Sequence, residues 1–372
     1  MIVGVLKEIK CEEYRVSLLP KGADILIRNG HKVLVERDAG LGSGFLNDQY
    51  KKCGTEIVNS AKEIYKNAEM ILKVKEPLEQ EYPLIKKGQI MFTFFHFAAS
   101  KELTVKMAES GATCIAYETV QRDDKSLPIL IPMSEIAGKM AIQVGASFLE
   151  KIHGGRGILL SGVAGVEPAE VLVIGGGVAG TSSATVASGL GARVTIIDSN
   201  IYRLRYLNSI IPNNIRTIMS TSYDIRDFLK DADLVVGAVL VPGAKAPKLI
   251  TRPMLKLMKP GSLIVDISID QGGSVETSRP TTHREPVFIE EGIVHYCVTN
   301  MPGAVPFTST IALNNATFPY VFELCQKGFE KCVRENLEVW KGVNIYNGKI
   351  TNKEVAEAFN LEYVPLERLI GN

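Results

Sequence analysis

Residues 171–180, VLVIGGGVAG, decide how the middle of this chain folds. The first four residues are apolar and mostly β-branched, which is typical of a strand buried inside a parallel sheet. Three glycines follow at the spacing Gly175-x-Gly177-x-x-Gly180, and the next residues, TSSATVASGL, predict a helix that ends at a glycine. A glycine-rich turn alone is a weak signal, but this turn between a strand and a helix indicates a βαβ unit.

The same stretch predicts a dinucleotide site. Gly175 permits a tight turn, Gly177 lets the backbone approach a pyrophosphate, and Gly180 allows close packing of helix and strand. The helix N-terminus adds partial positive charge. A second strand, ARVTIID, ends at Asp198, whose carboxylate would accept hydrogen bonds from ribose hydroxyls and repel a 2′-phosphate, which favours NAD. Arg203 could face solvent, stack on adenine or leave some tolerance for NADP.

Four more strands are predicted in this region: IRTIMS, DLVVGAV, SLIVDIS and IVHYCV. Six strands with intervening helices make a doubly wound sheet, whose ligands lie beyond the carboxyl ends of the strands. The residues predicted at those ends are Ser220, Val239, Leu240, Ile267, Ser268, Ile269, Asp270, Val298, Thr299, Asn300 and Met301. Asp270 precedes Gln-Gly-Gly, so it is either a turn former or a carboxylate that faces the nicotinamide.

The bulk composition excludes several classes of protein. With 42 basic and 41 acidic residues among 372, the chain has no charge excess for nucleic acid or anionic membrane. No apolar run approaches the ~20 residues of a membrane span. The first residues, MIVGVLKEIK, show no secretory signal. Six cysteines without a C-x-x-C argue against zinc and disulfides and favour the cytoplasm.

The length predicts two domains. Residues 1–128 again alternate strands (IVGVLKE, KVLVE, MILKVKE, IMFTFF, TCIAYE) with helices, and residues 134–152 read as a long connecting helix. Residues 129–305 form the predicted Rossmann NAD-binding domain, and residues 306–372 return as helices to the first domain. The predicted fold is α/β with two doubly wound domains, the substrate domain being discontinuous, and we expect a substrate cleft between them.

Three polar side chains stand at predicted strand ends of the first domain. His96 interrupts the apolar stretch QIMFTFFHFAAS, where it is either a packed core residue or a proton carrier. Lys75 follows MILKV and could equally be a solvated charge beside a turn. Arg15, near the next helix, could pair with Glu12 or Glu13 on the surface. Because all three are predicted at one sheet edge, a functional cluster is favoured over three separate accidents.

Longer stretches carry a resemblance to a known family: EEYRVSLLP, LKVKEP, FTFFHFAAS, IAYETVQ, PMSEIAG, VLVIGGGVAG, VGAVLVPGAKAPKLI, VDISIDQGG, SRPTTH and CVTNMPGAVP. Over essentially its whole length the chain resembles the NAD-dependent L-alanine dehydrogenases. The resemblance implies a reversible oxidative deamination in which L-alanine, NAD and water give pyruvate, ammonia and NADH. It also implies a homohexamer.

The resemblance further implies roles for matching positions. Arg15 and Lys75 match substrate-binding positions, while His96 and Asp270 match proton donors or acceptors. Nucleotide contacts are implied at Ser134, Val178, Ala179, Asp198, Arg203, Ser220, Val239, Leu240, Ile267 to Asp270, Arg279 and Val298 to Met301. Relatives commonly carry lysine at the position of Arg203. Glu118 could hold a cation, but no second ligand is evident, so no metal site is predicted.

Other functions are compatible with parts of this pattern. The soluble NAD-binding subunit of a proton-translocating transhydrogenase shares the fold and the VPG-x-x-APKLI stretch. Its relatives generally lack a histidine matching His96 and carry an amide at the position of Asp270. A catalytically silent nucleotide-binding protein is a second alternative. A third is the same chemistry on glyoxylate or on a larger amino acid, because the sequence does not define the size of the side-chain pocket.

Overall fold

Two sheets, both built mainly of parallel strands, organise the chain. The computed structural model describes residues 1–240 and 246–371. One unit combines Met1–Met133 with Gly303–Asn372, and the other is continuous from Ser134 to Pro302. The α/β class predicted from the sequence is therefore confirmed. Residues 241–245, inside the matched stretch VGAVLVPGAKAPKLI, lie outside the described residues.

The strands occur in both units. In chain order they are β1 (Ile2–Val5), β2 (Lys32–Glu36), β3 (Glu56–Val58), β4 (Met70–Leu72), β5 (Ile90–Thr93), β6 (Thr113–Ala116), β7 (Glu170–Ile174), β8 (Arg193–Asp198), β9 (Ile215–Met219), β10 (Leu234–Gly237), β11 (Leu263–Asp266), β12 (Val287–Glu290), β13 (Ile293–Tyr296), β14 (Val343–Tyr346) and β15 (Lys349–Ile350).

The helices connect these strands. They are α1 (Pro20–Arg28), α2 (Asn47–Lys52), α3 (Ala61–Asn67), α4 (Lys101–Ser110), α5 (Ile131–Phe148), α6 (Val178–Gly189), α7 (Ile201–Ile210), α8 (Ser222–Asp231), α9 (Arg252–Leu255), α10 (Pro306–Lys327), α11 (Phe329–Glu335), α12 (Leu337–Gly342), α13 (Lys353–Phe359) and α14 (Glu367–Ile370). No helix of the described ranges is long and apolar enough to span a membrane.

The sheet of the first unit has the order β15-β14-β6-β5-β4-β1-β2-β3. Strands β1 to β6 pair in parallel, whereas β14 runs antiparallel to both β6 and β15. The central strands are buried on both faces, and side chains such as Ile71, Met91 and Cys114 form a core with residues of the covering helices. Parallel strands buried in this way direct their carboxyl ends toward a single edge.

The sheet of the second unit has the order β12-β13-β11-β10-β7-β8-β9. All neighbouring pairs are parallel except β12 with β13. The order reverses around β7, which is the topological switch point of a doubly wound sheet. Strand β7 is the one that leads into the glycine-rich turn of residues 175–180.

Several elements differ from the sequence-based prediction. The described part of the second unit has the additional edge strand β12, which is half-exposed and therefore lacks the apolar signature of the inner strands. Strands β3, β14 and β15 were not predicted either, since two to four residues carry little periodicity. The helix predicted at 134–152 spans Ile131–Phe148, with Pro132 in its first turn, where proline is tolerated. The predicted return helix divides at Gly328, whose φ of 73° interrupts it.

Candidate functional site

Four neighbouring strands of the first unit are each followed by ionisable side chains at one sheet edge. Across the sheet the strands are β6, β5, β4 and β1. Glu118 follows β6, His96 follows β5, Lys75 follows β4, and Arg15 lies in the long loop after β1. The topology therefore places three of the predicted groups in loops that leave one edge, while Asp270 belongs to the second unit.

Arg15 is a buried residue, with only 2% of its surface exposed. Its Nε donates to Glu13 Oε1 at 2.7 Å, and its Nη2 donates to Glu13 Oε2 at 2.5 Å. Its Nη1 lies 3.1 Å from the sulfur of Met133. The pairing with Glu13 that the sequence suggested is present, but it is buried and does not lie on the surface. The Glu13 carboxylate binds one side of the guanidinium through two parallel hydrogen bonds, which fix the plane of the guanidinium. Lysine could not form such a bidentate pair.

Lys75 is also buried, at 8% exposure, which rules out the alternative of a solvated charge. The Glu8 Oε1 atom accepts the backbone N–H of Val74 at 2.6 Å and that of Lys75 at 3.3 Å. The Lys75 carbonyl in turn accepts a hydrogen bond from the Thr93 hydroxyl on the neighbouring strand, at 3.0 Å. The backbone that carries the amine is therefore held from both sides.

His96 adopts the left-handed conformation, with φ 52° and ψ 43°. Non-glycine residues rarely occupy this region, so the surroundings must enforce it. Glu118 accepts the His96 N–H at 2.6 Å and the Phe95 N–H at 3.3 Å. The imidazole is exposed and lies parallel to the Phe94 ring, with centroids 5.8 Å apart. The interpretation of His96 as a packed core residue does not fit this exposure.

Desolvation and nearby positive charges both lower the pKa of His96. Desolvation by the surrounding protein, together with the positive charges of Lys75, Lys10 and Arg15, lowers the pKa of His96 to about 3. The His96 ring is exposed, so contact with water reduces the effect of desolvation on its pKa. The repulsion between the three cations and a protonated imidazole still lowers this pKa. The imidazole is neutral at pH 7 and is a proton acceptor in this state.

The pKa of Glu118 is shifted upward, whereas that of His96 is shifted downward. Burial raises the pKa of Glu118 to about 7, while the N–H groups it accepts and the charge of Lys75 work in the other direction. From the sequence, Glu118 was predicted only as a possible cation ligand. In the described ranges no group of three or more His, Cys, Asp or Glu side chains is arranged to hold a metal ion.

A buried charge cluster behind this edge was missed by the sequence analysis. Lys73, only 1% exposed, lies with its Nζ 3.0 Å from Glu81 Oε1 and 3.4 Å from Glu8 Oε2. Burial alone would lower the pKa of Lys73, but the two carboxylates reverse this and raise it. The signal was the pair of lysines in LKVKEP, although its partners come from positions 8 and 81.

The second unit carries the glycine-rich turn at the carboxyl end of β7. Gly175 has φ 103°, and a Cβ built on Gly180 would lie 1.8 Å from the Gly175 carbonyl oxygen. These two glycines are therefore required by the backbone itself. Gly177 differs, since a Cβ there meets no atom of the described residues within 4 Å. Helix α6 begins directly after it without a side-chain cap, so space and backbone donors suited to a pyrophosphate coincide.

Asp198 ends β8 beside this turn. Its Oδ2 accepts the Gly176 N–H at 2.7 Å and its Oδ1 accepts the Asn200 N–H at 2.8 Å. A carboxylate has about four acceptor positions, so these bonds orient it and leave capacity for ribose hydroxyls. Arg203 donates from Nε to the Gly176 carbonyl at 2.5 Å and from NH2 to Thr181 at 3.2 Å. The Arg203 guanidinium thus stabilises the glycine turn, and its Cζ atom lies 5.0 Å from the Tyr206 ring centroid.

The other predicted nucleotide residues lie mainly at carboxyl ends of the parallel strands. A hydrogen bond links the segments that follow β10 and β11: the Ser268 hydroxyl accepts the Val239 N–H at 3.0 Å. Ser134 lies in α5, and exposed Arg279 has its guanidinium 4.4 Å from the centre of the Phe288 ring. Val178 and Ala179 are the first two residues of α6. The other positions lie in the segments after β9, β10, β11 and β13 and are Ser220, Leu240, Ile267, Ile269, Val298, Thr299, Asn300 and Met301.

Asp270 lies in a short 3₁₀ turn, Ile267–Gln271, just after β11. The residue that organises this turn is Asp266, which is 1% exposed. Its Oδ1 accepts the Ser268 N–H and the Ser274 hydroxyl, and its Oδ2 accepts the N–H groups of Ser274 and Val275 and the Ser278 hydroxyl. Asp266 therefore holds the backbone of the turn in which Asp270 lies.

Comparison with known proteins gives a consistent result. Residues 4–137 match the family model for the alanine dehydrogenase/PNT N-terminal domain, and residues 141–353 match that for the C-terminal domain of the same family. An alanine dehydrogenase of Methanococcus maripaludis is 52% identical over 372 residues, covering 100% of both chains.

Solved structures separate the two main alternatives. A structure described as an L-alanine dehydrogenase superposes with a TM-score of 0.93 at 47% identity and covers 97% of this chain and 99% of its own. A transhydrogenase from Sinorhizobium meliloti reaches a TM-score of 0.79 at 25% identity, covering 95% and 99%. The fold is thus shared by both, and the sequence is much nearer the first.

Proposed function

The chain belongs to the alanine dehydrogenase/PNT family, and we propose from this membership how its own residues carry out the reaction. It is an NAD-dependent amino-acid oxidoreductase for the reversible oxidative deamination of L-alanine to pyruvate and ammonia. The observation that carries this function is the 52% identity along the full chain to an alanine dehydrogenase.

The second unit fits NAD at the edge formed by β7 and β8. The pyrophosphate would lie over Gly177, where there is open space, and would bind the N–H groups at the uncapped start of α6. The oriented Asp198 carboxylate would bind the adenosine ribose. When bound, the nicotinamide ring accepts the hydride that leaves Cα of the amino acid. We propose that the second unit binds the nucleotide and that the first unit binds the substrate, as in the predicted division at residues 128 and 305.

Arg15 and Lys75 are proposed to bind the substrate. A substrate carboxylate is a planar anion that a guanidinium can bind through two parallel hydrogen bonds, and Glu13 already fixes the plane of Arg15. Lys75 donates a hydrogen bond to the oxygen that develops at Cα and polarises the carbonyl of pyruvate in the reverse direction. Both cations are buried, so their fields act with little screening by water.

His96 is proposed to accept, in the oxidative direction, the proton that the water oxygen or the amino nitrogen at Cα releases. Its imidazole is neutral at pH 7 because desolvation and the nearby cations lower its pKa. A bound substrate carboxylate would offset the charges of Arg15 and Lys75 and raise the pKa of His96 toward neutrality. The same ring could then return a proton in the reductive direction, work typically worth ~10²–10⁴ in rate.

Asp270 is proposed to orient the water or ammonia that adds to Cα. The short turn Ile267–Gln271 presents it, and the hydrogen bonds of Asp266 hold this turn. A carboxylate can both accept a hydrogen bond from the nucleophile and take up its proton. How the proton transfers divide between His96 and Asp270 is tested by the variants described below.

One assay separates this function from its alternatives. The purified chain is expected to form NADH from NAD in the presence of L-alanine, whereas an exchange module or a silent binding protein would not. Ranking alanine against glycine, serine and 2-aminobutyrate, and pyruvate against glyoxylate, defines the substrate range. Absence of alanine-dependent NADH formation at all pH values between 7 and 10 would contradict the proposal.

The assembly and location are further proposals. The resemblance to the family supports a homohexamer, which sedimentation velocity would test. The lack of any C-x-x-C and the six free cysteines fit a reducing cytoplasm. Fractionation of cells that express the chain at its natural level would test the location.

A further inference from the structure

Glu118 makes the backbone hydrogen bonds that β5 can no longer make. Strand β5 ends at Thr93, and β6, its neighbour, ends at Ala116. Beyond these ends the Glu118 side chain takes over, with Oε1 2.6 Å from the His96 nitrogen and Oε2 3.3 Å from the Phe95 nitrogen. Both oxygens of one carboxylate thus receive the N–H groups of two consecutive residues.

These bonds act on the residue with the unusual backbone. The left-handed φ of 52° at His96 turns the chain sharply away from the strand direction. On the far side of the turn, the Ala99 N–H donates to the His96 carbonyl at 2.8 Å, and the rings of Phe95 and Phe97 stack 4.4 Å apart. Glu118 is the contact that holds the entrance of the turn, so it defines the direction in which the imidazole leaves the backbone.

We propose that Glu118 is a positioning residue for His96: its carboxylate holds the left-handed turn that directs the imidazole toward the substrate. This inference rests on the proposed function of His96, because only then does its direction affect turnover. Glutamine is the informative replacement. It keeps the shape but presents one oxygen and one N–H₂ group, and the N–H₂ group opposes one of the two backbone donors.

The ionisation of Glu118 gives the proposal a second, independent readout. Its carboxyl is faced by Lys75 and the N–H groups of Phe95 and His96, and the imidazole is faced by Lys75, Lys10 and Arg15. Burial raises the pKa of Glu118 to about 7. As the pH falls through this value the carboxyl gains a proton, and one oxygen becomes a donor that opposes a backbone N–H. The turn is therefore held best above neutral pH.

The test compares Glu118→Gln and Glu118→Asp with the matched control Glu36→Gln. Glu36 is also half-buried in the first unit and accepts a backbone N–H, that of Lys7 at 2.9 Å, but lies outside the site. We expect Glu118→Gln to lower kcat with alanine by up to about 10²-fold, the scale of an ångström misplacement, while the KM for NAD stays within about twofold. Glu118→Asp should retain more activity than Glu118→Gln.

The second measurement does not depend on turnover. The imidazole resonances of His96, assigned by their loss in His96→Gln, should shift in Glu118→Gln and stay unchanged in Glu36→Gln. The wild-type kcat should decline as the pH falls through about 7, and Glu118→Gln should lack this decline. Unshifted His96 resonances together with wild-type kcat in Glu118→Gln would overturn the proposal.

The outcomes also separate this inference from the proposed function. If the wild-type chain shows no alanine-dependent NADH formation, the proposed function fails, while the His96 resonances still decide whether Glu118 positions the ring. If Glu118→Gln does not fold, Glu118→Asp carries the test. In that variant an unshifted His96 resonance and an unchanged pH profile overturn the proposal, and a shift of either supports it.

Discussion

Glu13 and Arg15, separated by a single residue in the chain, form an ion pair whose side chains are 0% and 2% exposed. Replacing Glu13 by Gln would remove the carboxylate that binds this buried guanidinium through two N–H donors. Breaking a buried ion pair typically costs about 3–5 kcal/mol. We expect the free energy of unfolding in urea to fall by that amount and the KM for alanine to rise. Glu109→Gln, which breaks the exposed pair with Lys106, should leave the free energy of unfolding nearly unchanged. Equal effects of the two changes would contradict the prediction.

Three glycine-to-alanine variants should separate folding from nucleotide binding. Gly180→Ala forces a Cβ to within 1.8 Å of the Gly175 oxygen, so it should destabilise the second unit by about 1–3 kcal/mol. At Gly177 and Gly189 a Cβ meets nothing within 4 Å among the described residues, so neither variant should lower the melting temperature. Gly177→Ala should weaken NAD binding measured by calorimetry, whereas Gly189→Ala should not. Normal NAD affinity in Gly177→Ala would remove that glycine from the nucleotide site.

The two proposed proton carriers should differ in their pH profiles. His96→Ala should lower kcat/KM by about 10²–10⁴ and abolish one ionisation of the wild-type profile. Asp270→Asn should keep that ionisation but lower the rate at which the nucleophile adds to Cα. His153→Gln, at an exposed histidine after α5, serves as the control and should behave as wild type. Unchanged activity in the His96 variant would remove this histidine from the mechanism.

The lowered pKa of His96 also predicts how stability depends on pH. The unfolded chain takes up a proton at this residue near pH 6.5, whereas the folded chain resists protonation down to about pH 3. The contribution of His96 to stability is therefore fully present above pH 6.5 and is lost as the pH falls toward 3. Urea unfolding at pH 8 and pH 5 should show a smaller loss in His96→Gln than in the wild-type chain. A larger loss in the variant would mean that the sign is wrong.

Asp266 should matter for stability although it lies outside the proposed chemistry. Asparagine at this position would turn an N–H₂ group toward backbone and hydroxyl donors that the buried carboxylate now accepts. We expect a loss of about 2 kcal/mol in the free energy of unfolding, the scale of an unsatisfied buried group. Asp124→Asn, in an exposed turn where the carboxylate accepts the Ser126 N–H, should change the free energy of unfolding far less than Asp266→Asn.

The sequence predicted the parts of the fold that depend on local pattern. The buried strand ending at Ile174, the glycine turn and helix α6 follow from an apolar run and the spacing of the glycines, and they agree with the structure. Strand β15, of two residues, has no periodicity to detect and forms because it pairs with β14. Such pairing is a tertiary contact that no local window contains.

Some residues of the candidate site could likewise be predicted from local sequence, and others depend on tertiary contacts. His96 could be singled out because a histidine after an apolar run is conspicuous, and Asp198 because of its distance from the glycines. Glu8 and Lys73 could not be paired in advance, since 65 residues separate them and their contact depends on β1 lying beside β4. Asp266 was counted as part of a strand, because its partners come from a turn whose shape was unknown.

The discontinuity of the first unit sets the order in which the chain can fold during synthesis. Strand β14 completes the sheet beside β6, and Thr310 bonds both the Val16 N–H and the Ser43 hydroxyl. The ribosome must therefore release the last part of the chain before the unit that holds Arg15, Lys75 and His96 can close. The continuous second unit is complete once residue 302 has emerged from the ribosome, so it can fold before the first unit does.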